Sequence, residues 1–531
     1  MSKIQHIVFK VNNPKIISYL FWISFLLVIV FVTSEEFADP LLTPKWIALY
    51  LLVILSSFSY SLQMLFFYRN KSRIFSDIHV VSISIAITLL ILSLHGICQS
   101  CGILDSEGLF KVVGTYDNPA GFAITLCSGM PFILYGIYKQ VGVLKYMHIA
   151  TLILTLIAIV LSQSRAGICC AIIVLITSRQ IWSNGFILYR RFIFILLCII
   201  FIVIMCIKTD SSYGRILIWK TTCQMIFEKP LFGYGPNGFD ANYMDYQAAF
   251  FQNKPDSMYA VFADDIQYPF NEYLHILVNY GITGLFLLIC GIGYLCRSYL
   301  NKRTIEKFIS LLSIITIIVF ALFSYPLLYP FTSFMLIYSS MVCLSDNVDL
   351  SILDRKWQCL IGTTLLLFSL GAGYCLTNYI QKEREWYSIA CNESSQIEEY
   401  EKIYHRLKDN KYFLYNYAYV LYERNNWNES RRVAEECRKI WADYDLELLQ
   451  GLIEMKDKNY TKADIHFEHA NHMCPNRFRP LYLRLKNAEA SGNSEVAKFC
   501  AQTIIGKKVK VPSNEITRIK WYAKKYIESL I

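Results

Sequence analysis

Charged side chains are scarce in this chain of 531 residues: they make up 17% of it, while hydrophobic side chains make up 55%. Asp, Glu, Lys and Arg are absent from three long stretches, residues 46–67, 192–207 and 357–380. A helix needs about 20 apolar residues to cross the roughly 30 Å hydrocarbon core of a bilayer. The shortage of charge therefore excludes an ordinary soluble enzyme and indicates an integral membrane protein.

Eleven apolar segments occur before residue 381, and they predict an all-α, polytopic membrane helical bundle of about 11 spans. They begin near residues 17, 46, 78, 119, 146, 166, 192, 273, 308, 325 and 357, and the sixth, 166–178, is short. Lys10 and Lys15 precede the first segment, which has no small-residue cleavage site. We therefore expect this segment to stay as an anchor rather than be removed as a signal peptide.

The placement of Lys and Arg predicts the orientation of the chain, because short positively charged loops stay in the cytoplasm. With Met1 inside, seventeen basic residues fall in the inner segments, whereas the short outer loops contain only Lys45, Lys111 and Arg165. An odd number of spans places everything after Ile380 outside. The net charge of +10 then reflects topology and is no argument for a nucleic-acid partner.

A metal-binding pattern is missing from the seventeen cysteines, most of which lie singly in apolar segments and resemble small hydrophobic residues. Cys98 and Cys101 stand together in Cys-Gln-Ser-Cys at an outer membrane edge. Both a local disulfide and two unpaired thiols are open for this pair. We expect neither a metal nor another cofactor.

Three regions follow from composition. Residues 1–380 form the membrane body, which includes one long outer loop, 208–270, whose aromatic, Gly and Pro content predicts a folded lid on the membrane surface. The remaining residues, 381–531, contain 48 of the 92 charged residues of the chain. This tail is therefore predicted to be a separate soluble domain.

The tail has an internal period. Trp427 and Tyr460 are 33 positions apart, and Ala463 and Ala497 are 34 apart, within three similar stretches. A period of about 34 with paired amphipathic helices resembles tetratricopeptide repeats, in which neighbouring units share one core. Such repeats bind a partner protein or pack on their own chain, and the sequence leaves both open.

Four polar motifs lie at the predicted outer face of the membrane body. They are GTYDNP at 114–119, SQSRAG at 162–167, GRILIW at 214–219 and NEYLH at 271–275. The first is also adequate as a turn that starts a helix. The last opens an apolar segment with ionisable residues, and a membrane helix that begins in this way commonly uses them.

Arg165 and Arg215 are the candidate binding residues among these motifs. A guanidinium group stays charged and binds phosphate oxygens through two parallel hydrogen bonds. Two such residues together are suited to a pyrophosphate group on a lipid carrier. In the alternative interpretation, Arg165 reaches towards lipid headgroups and Arg215 is a solvated loop charge.

In this order the motifs resemble the O-antigen ligase and O-antigen polymerase superfamily of bacterial envelope glycan enzymes. The resemblance covers about residues 100–345 and rests on GTYDNPAGFA, SQSRAG, GRILIWKTTCQMIFEKPLFGYGPNGF and NEYLHILVNYGITGL. It implies a multi-pass protein of the bacterial inner membrane with a periplasmic tail. The implied reaction is metal-independent transfer of a glycan from undecaprenyl pyrophosphate to an acceptor hydroxyl, by direct displacement at the anomeric carbon. Lipid A-core, a protein and a growing polysaccharide all stay open as the acceptor.

The resemblance also implies roles for individual residues. Arg165 and Arg215 bind the leaving pyrophosphate, while Asn118, Trp219 and Asn271 support the site. One position departs from the family pattern. The residue before Asn271 is a histidine in many members of that family, whereas in this sequence it is Phe270.

The acid–base residue is consequently open. Glu272, His275, Asp264 and Asp265 are the candidates, and we favour Glu272 because it starts the helix at the outer face. Two further alternatives are that pyrophosphate, a good leaving group, needs no base, and that the polar residues only cap the helix.

Two other functions compete with glycan transfer. Eleven spans suffice for a transporter or flippase, although paired broken helices are not evident in the two halves and charge is rare inside the spans. A non-catalytic assembly factor, whose outer repeats recruit envelope proteins, is the third hypothesis.

Overall fold

The computed structural model describes residues 14–66, 77–106, 110–178, 209–345, 354–392 and 396–530. Within these ranges it contains α-helices and two short 3-10 helices, Met258–Phe262 and Pro326–Leu328, and no strand. The predicted all-helical class is confirmed for this part of the chain.

Most helices before the tail are apolar, and local sequence explains where several begin. Asn118 caps α4, whose first residue is Pro119, and Thr304 caps α10 by accepting a hydrogen bond from the Lys307 amide. In chain order the described helices are α1 (Pro14–Phe31), α2 (Thr43–Phe66), α3 (Ile78–Cys101), α4 (Pro119–Lys139), α5 (Gly142–Leu161), α6 (Arg165–Ser178), α7 (Thr209–Glu228), α8 (Gly238–Asn253), α9 (Glu272–Asn301), α10 (Ile305–Ala321), α11 (Pro330–Leu344) and α12 (Arg355–Ala390).

Six of the described helices, α2, α3, α4, α5, α9 and α12, are long and apolar enough to cross a membrane. Shorter apolar helices are α1 from residue 16, α6 and α11. The predicted segment near residue 192 lies outside the described residues. A membrane protein with several spans is thus supported, whereas the count of eleven stays a prediction.

Contacts divide the chain into two compact units. The first comprises residues 1–204 and 289–387, and the second comprises residues 205–288 and 388–531. The sequence division at residue 380 assigns the long loop to the membrane body, whereas the contacts group it with the tail. The physical reason is a hydrophobic core that the loop helices α7 and α8 share with the tail.

The first unit is built around α4, which is buried along almost its whole length and packs against α3, α5, α6 and α10. Side-chain hydroxyls hold the neighbouring helices to its carbonyl groups. Ser82 donates to the Phe132 carbonyl at 2.8 Å and Ser313 donates to the Ser128 carbonyl at 2.7 Å. Such bonds and small residues, rather than hydrophobic burial, are what can hold helices together in lipid.

The tail is a series of neighbouring helix pairs. The second helices of three successive pairs begin at Trp427, Tyr460 and Ser494, in agreement with the period of 33 to 34 residues. A Cβ atom at Gly451 would lie 2.5 Å from the Phe467 ring, so this glycine permits close packing within one pair. The assignment to tetratricopeptide repeats stays a prediction. The helices are α13 (Ile397–Leu407), α14 (Lys411–Glu423), α15 (Trp427–Ile440), α16 (Tyr444–Lys456), α17 (Tyr460–Met473), α18 (Arg479–Ser491), α19 (Ser494–Gly506) and α20 (Asn514–Glu528).

The loop helix α8 lies against α15 and α17 of the tail. Phe239, Tyr243 and Met244 from α8 are buried in one core with Tyr444 and Phe467 from the tail. At the start of α8 the Asp240 carbonyl accepts a hydrogen bond from the Ala442 amide at 2.9 Å. The tail therefore packs on a segment of its own chain.

Candidate functional site

Arg215 and Trp219 both contact the segment that precedes α9. They are four residues apart on α7, so they lie on the same face of that helix. The Trp219 indole donates to the Pro269 carbonyl at 2.9 Å, and the Arg215 guanidinium lies 5.5 Å from the centre of the Phe270 ring. These contacts place the arginine motif beside the start of α9.

Phe270 adopts φ = 52°, a left-handed conformation that is uncommon for a residue with a side chain. Its ring packs against the core that the loop shares with the tail. A residue other than glycine normally loses free energy of folding in this conformation. The contact with Arg215 and the packing of the Phe270 ring offset that loss here.

Asn271 caps α9. Its side-chain oxygen accepts hydrogen bonds from the Tyr273 amide at 3.0 Å and from the Leu274 amide at 3.1 Å. Glu272 follows in the first turn and is half-buried. The amide groups of this turn and the helix dipole favour negative charge at the same place.

His275 lies one turn further along α9 and is held by Asn279. The Phe239 amide donates to the Asn279 side-chain oxygen at 3.0 Å, so the Asn279 nitrogen faces the His275 Nε2 atom, 3.0 Å away, as a donor. The Nε2 atom is then an acceptor, and the neutral ring has its proton on Nδ1. Phe239 and Tyr268 contact this ring edge to face, each with ring centres 6.2 Å apart.

The helix α9 is broken at Gly281, where φ is 63° and ψ is −163°. Residues 229–235, with the sequence KPLFGYG, supply the hydrogen bonds that the break removes. Tyr234 and Gly235 donate to the Val278 and Asn279 carbonyls at 2.8 and 2.9 Å. In the opposite direction, the Ile282 and Thr283 amides donate to the Pro230 and Leu231 carbonyls at 2.8 and 3.3 Å.

Glycine is required on both sides of this contact. A Cβ atom at Gly281 would lie 2.3 Å from the Leu231 carbonyl oxygen, and one at Gly233 would lie 2.4 Å from the Val278 carbonyl oxygen. The pairing of these two segments was not predicted from the sequence. Neither the helix break nor the role of Asn279 was predicted.

Asp264 and Asp265 contact the tail. Asp264 forms an ion pair with Arg477 at 2.6 Å. Burial, followed by the charge of Asp443 and a hydrogen bond to it, raises the pKa of Asp265. Asp443 is itself buried and caps α16 by accepting from the Asp445 and Leu446 amides at 2.8 and 3.0 Å.

Asn118, in the first unit, joins the start of α4 to two tyrosines. Its oxygen accepts from the Ala120 and Gly121 amides, and its nitrogen donates to the hydroxyl groups of Tyr325 at 3.0 Å and Tyr329 at 2.8 Å. These contacts explain the asparagine structurally, since it caps α4 and holds the start of this helix to the two tyrosines.

Arg165 begins α6, also in the first unit, and its side chain is half-buried. The preceding turn places Gln163 at φ = 54° and lets the Ser164 hydroxyl oxygen accept from the Gly167 amide at 3.3 Å. A Cβ atom at Gly167 would lie 2.6 Å from the Cβ atom of Ala123, which explains the glycine by close packing of α6 on α4.

The structure thus brings Arg215, Trp219 and the residues from 270 to 275 together in the second unit, whereas Asn118 and Arg165 belong to the first. Within the described ranges, no group of three His, Cys, Asp or Glu residues could hold a metal ion. Cys98 and Cys101 are free thiols.

Several helices are long and apolar enough to cross a membrane, which defines a polytopic membrane protein. The candidate site lies at the polar start of the broken helix α9, where the loop helix α7 contacts it. A family model described as O-Antigen ligase matches residues 150–289. This range contains the motifs of Arg165, Arg215 and Asn271, and it supports the resemblance to the O-antigen ligase superfamily for that part of the chain. No curated protein matches the chain.

Proposed function

We propose that this protein transfers a glycan from an undecaprenyl-pyrophosphate donor to an acceptor hydroxyl at the periplasmic face of a bacterial inner membrane. The observation that supports this most is the O-antigen ligase match over residues 150–289, within which Arg215, Trp219 and the start of α9 lie side by side. A guanidinium group next to a helix N-terminus favours an anionic substrate such as pyrophosphate.

In the proposed reaction the acceptor oxygen attacks the anomeric carbon of the sugar. The bond from that carbon to the phosphate oxygen breaks, and undecaprenyl pyrophosphate leaves with the bonding electrons. Arg165 and Arg215 bind the negative charge of the leaving group, and no metal is needed. The acceptor proton passes to a base at the start of α9.

Glu272 is the proposed base. Its competitor His275 already accepts a hydrogen bond at Nε2 and has a proton on Nδ1, so neither ring nitrogen is ready to take another proton without breaking the contact to Asn279. Asp264 forms an ion pair with Arg477, and Asp265 shares a hydrogen bond with Asp443 of the tail. Glu272 is the remaining candidate in the first turn of α9.

The test is transfer of a lipid-linked oligosaccharide by the purified full-length protein in vesicles. Glu272→Gln keeps the shape and removes the proton acceptor, so turnover should fall roughly 10²-fold or more with donor binding nearly unchanged. Glu429→Gln, an exposed carboxylate on α15, is the control and should act like the parental protein. Full activity of Glu272→Gln would refute this assignment of the base.

The arginine assignment is tested in the same assay. Arg165→Lys and Arg215→Lys keep the charge but lose the planar group that binds two phosphate oxygens, so each should impair donor binding nearly as much as alanine. Parental rates in both lysine variants would refute the pyrophosphate contact. A parental protein that folds but transfers no lipid-linked glycan would favour the assembly-factor hypothesis.

A further inference from the structure

Six consecutive residues from Phe227 to Phe232 are exposed, and three of them are large and apolar. Phe227 is 82% exposed, Phe232 is 74% exposed and Leu231 is 61% exposed. They link the end of α7 to the turn that pairs with the break in α9. Adjacent exposed apolar side chains of this size mark a contact with another surface.

The place where this segment contacts α9 indicates which surface its apolar side chains bind. The Ile282 and Thr283 amides, which open the apolar half of α9 after the break, donate to the Pro230 and Leu231 carbonyls. Before the break Val278 and Asn279 are buried, whereas after it large apolar side chains are exposed, among them those of Phe286 and Leu287. Exposed apolar side chains on a membrane-spanning helix face lipid.

The exposed segment is therefore at the level where α9 enters the bilayer. Its backbone carbonyl groups bind amides of the first turn of the apolar half, and non-helical backbone at that depth needs such partners. The segment and the apolar half of α9 both expose large apolar side chains beside this backbone pairing.

The charged residues of the segment are engaged with protein. The Lys229 ammonium lies 4.2 Å from the centre of the Tyr234 ring, and the Glu228 carboxylate accepts hydrogen bonds from the Tyr234 and Tyr246 hydroxyl groups. Both charged groups thus contact tyrosine side chains, and aromatic residues combined with basic ones are typical of membrane interfaces.

We infer that Phe227, Leu231 and Phe232 form a wedge that inserts into the lipid bilayer beside the start of the apolar half of α9. The partner is the phospholipid bilayer itself, and the inference does not depend on glycan transfer. By anchoring the end of α7, the wedge holds the helix of Arg215 and Trp219 at the membrane surface.

Photocrosslinking of the full-length protein in vesicles of phosphatidylethanolamine and phosphatidylglycerol tests the wedge. Phe232→p-benzoylphenylalanine should give lipid adducts detectable by mass spectrometry. Phe499→p-benzoylphenylalanine is the matched control, because Phe499 is 59% exposed but lies on α19 of the tail, and it should give at least tenfold less lipid adduct. Both sites are exposed, so folding should match the parental protein in thermal unfolding.

Equal lipid labelling at the two positions would overturn the inference, as would its absence at Phe232. A covalent dimer from Phe232→p-benzoylphenylalanine in place of a lipid adduct would also overturn it, since the surface would then bind a second copy. Lipid adducts at Phe227→p-benzoylphenylalanine would support it independently.

Discussion

Arg438 on tail helix α15 forms an ion pair with Asp245 on loop helix α8, 193 positions earlier in the chain. His469 on α17 contacts the same carboxylate at 3.0 Å. Because α8 shares a core with α7, which includes Arg215 and Trp219, the tail stabilises the arrangement of the candidate site. The repeat surface on this side binds the chain's own loop, which favours a supporting role over recruitment of a partner there.

Reversing the charge at position 438 should detach the loop from the tail. Arg438→Asp places two carboxylates together, so we expect a loss of about 1–3 kcal/mol in stability and faster proteolysis within α8. The double variant Asp245→Arg/Arg438→Asp should recover part of this loss. Arg432→Asp is the control, because Arg432 pairs with Glu429 and Glu436 of its own helix. Equal effects of Arg432→Asp and Arg438→Asp on proteolysis of α8 would contradict the prediction.

Docking of the tail should weaken as pH rises from about 6 to 8. Burial by itself lowers the pKa of His469, but the hydrogen bond to Asp245 and the charges of Glu447 and Asp245 outweigh burial and the repulsion of Arg438, and they raise the pKa. A raised histidine pKa contributes stability below about pH 6.5, the unfolded value, and this stability is lost as pH rises through the folded value. Thermal unfolding of the full-length protein across this range measures the effect.

Titration of Asp265 should also lower the stability of the folded protein as pH rises. Its raised pKa means that the protonated form is favoured in the fold, so its contribution is present below the unfolded value of about 3.9 and is lost as pH rises through the folded value. The facing groups are Asp443, Arg477 and Asp445. Asp265→Asn should flatten the pH dependence, and Asp265→Asn combined with His469→Gln should flatten it further. A pH profile unchanged in the double variant would rule out both groups as its origin.

Glycine at position 281 should be required for assembly of the break in α9. Gly281→Ala combines a left-handed backbone with a contact to the Leu231 carbonyl oxygen, so we expect a loss of about 3 kcal/mol or more and poor recovery of folded protein. Gly291→Ala on the same helix is the control, since a Cβ atom there meets no atom within 4 Å. Comparable yield and thermal stability of the two variants would show that the break is not needed.

The tail should lie outside the cytoplasm. A reporter enzyme that is active only in the periplasm, fused after Ser388, should therefore be active, in line with the strong bias of Lys and Arg towards the predicted inner segments. A fusion after Lys302 should be inactive, since this residue lies in a predicted inner segment. Activity of the Lys302 fusion alone would reverse the predicted orientation.

Much of the helical structure was predictable from local sequence. The stretches without charge coincide with helices such as α2 and α12, and the asparagines at 118 and 271 cap helices as their positions indicate. The spacing of Trp427 and Tyr460 likewise marks the starts of two tail helices. The catalytic and binding roles of the site residues stay predictions, because contacts within the protein do not show which substrate group a side chain binds.

The positions of many helices follow from local sequence, because apolar composition, caps and period act over a few turns of chain. The pairing of Asp245 with Arg438 does not follow from local sequence, because a contact across 193 positions depends on which apolar faces are buried together. The break at Gly281 likewise depends on a contact with a distant segment. A glycine inside an apolar run is compatible with a continuous helix, and the break becomes stable only where the Pro230 and Leu231 carbonyls accept the amide hydrogens that it exposes.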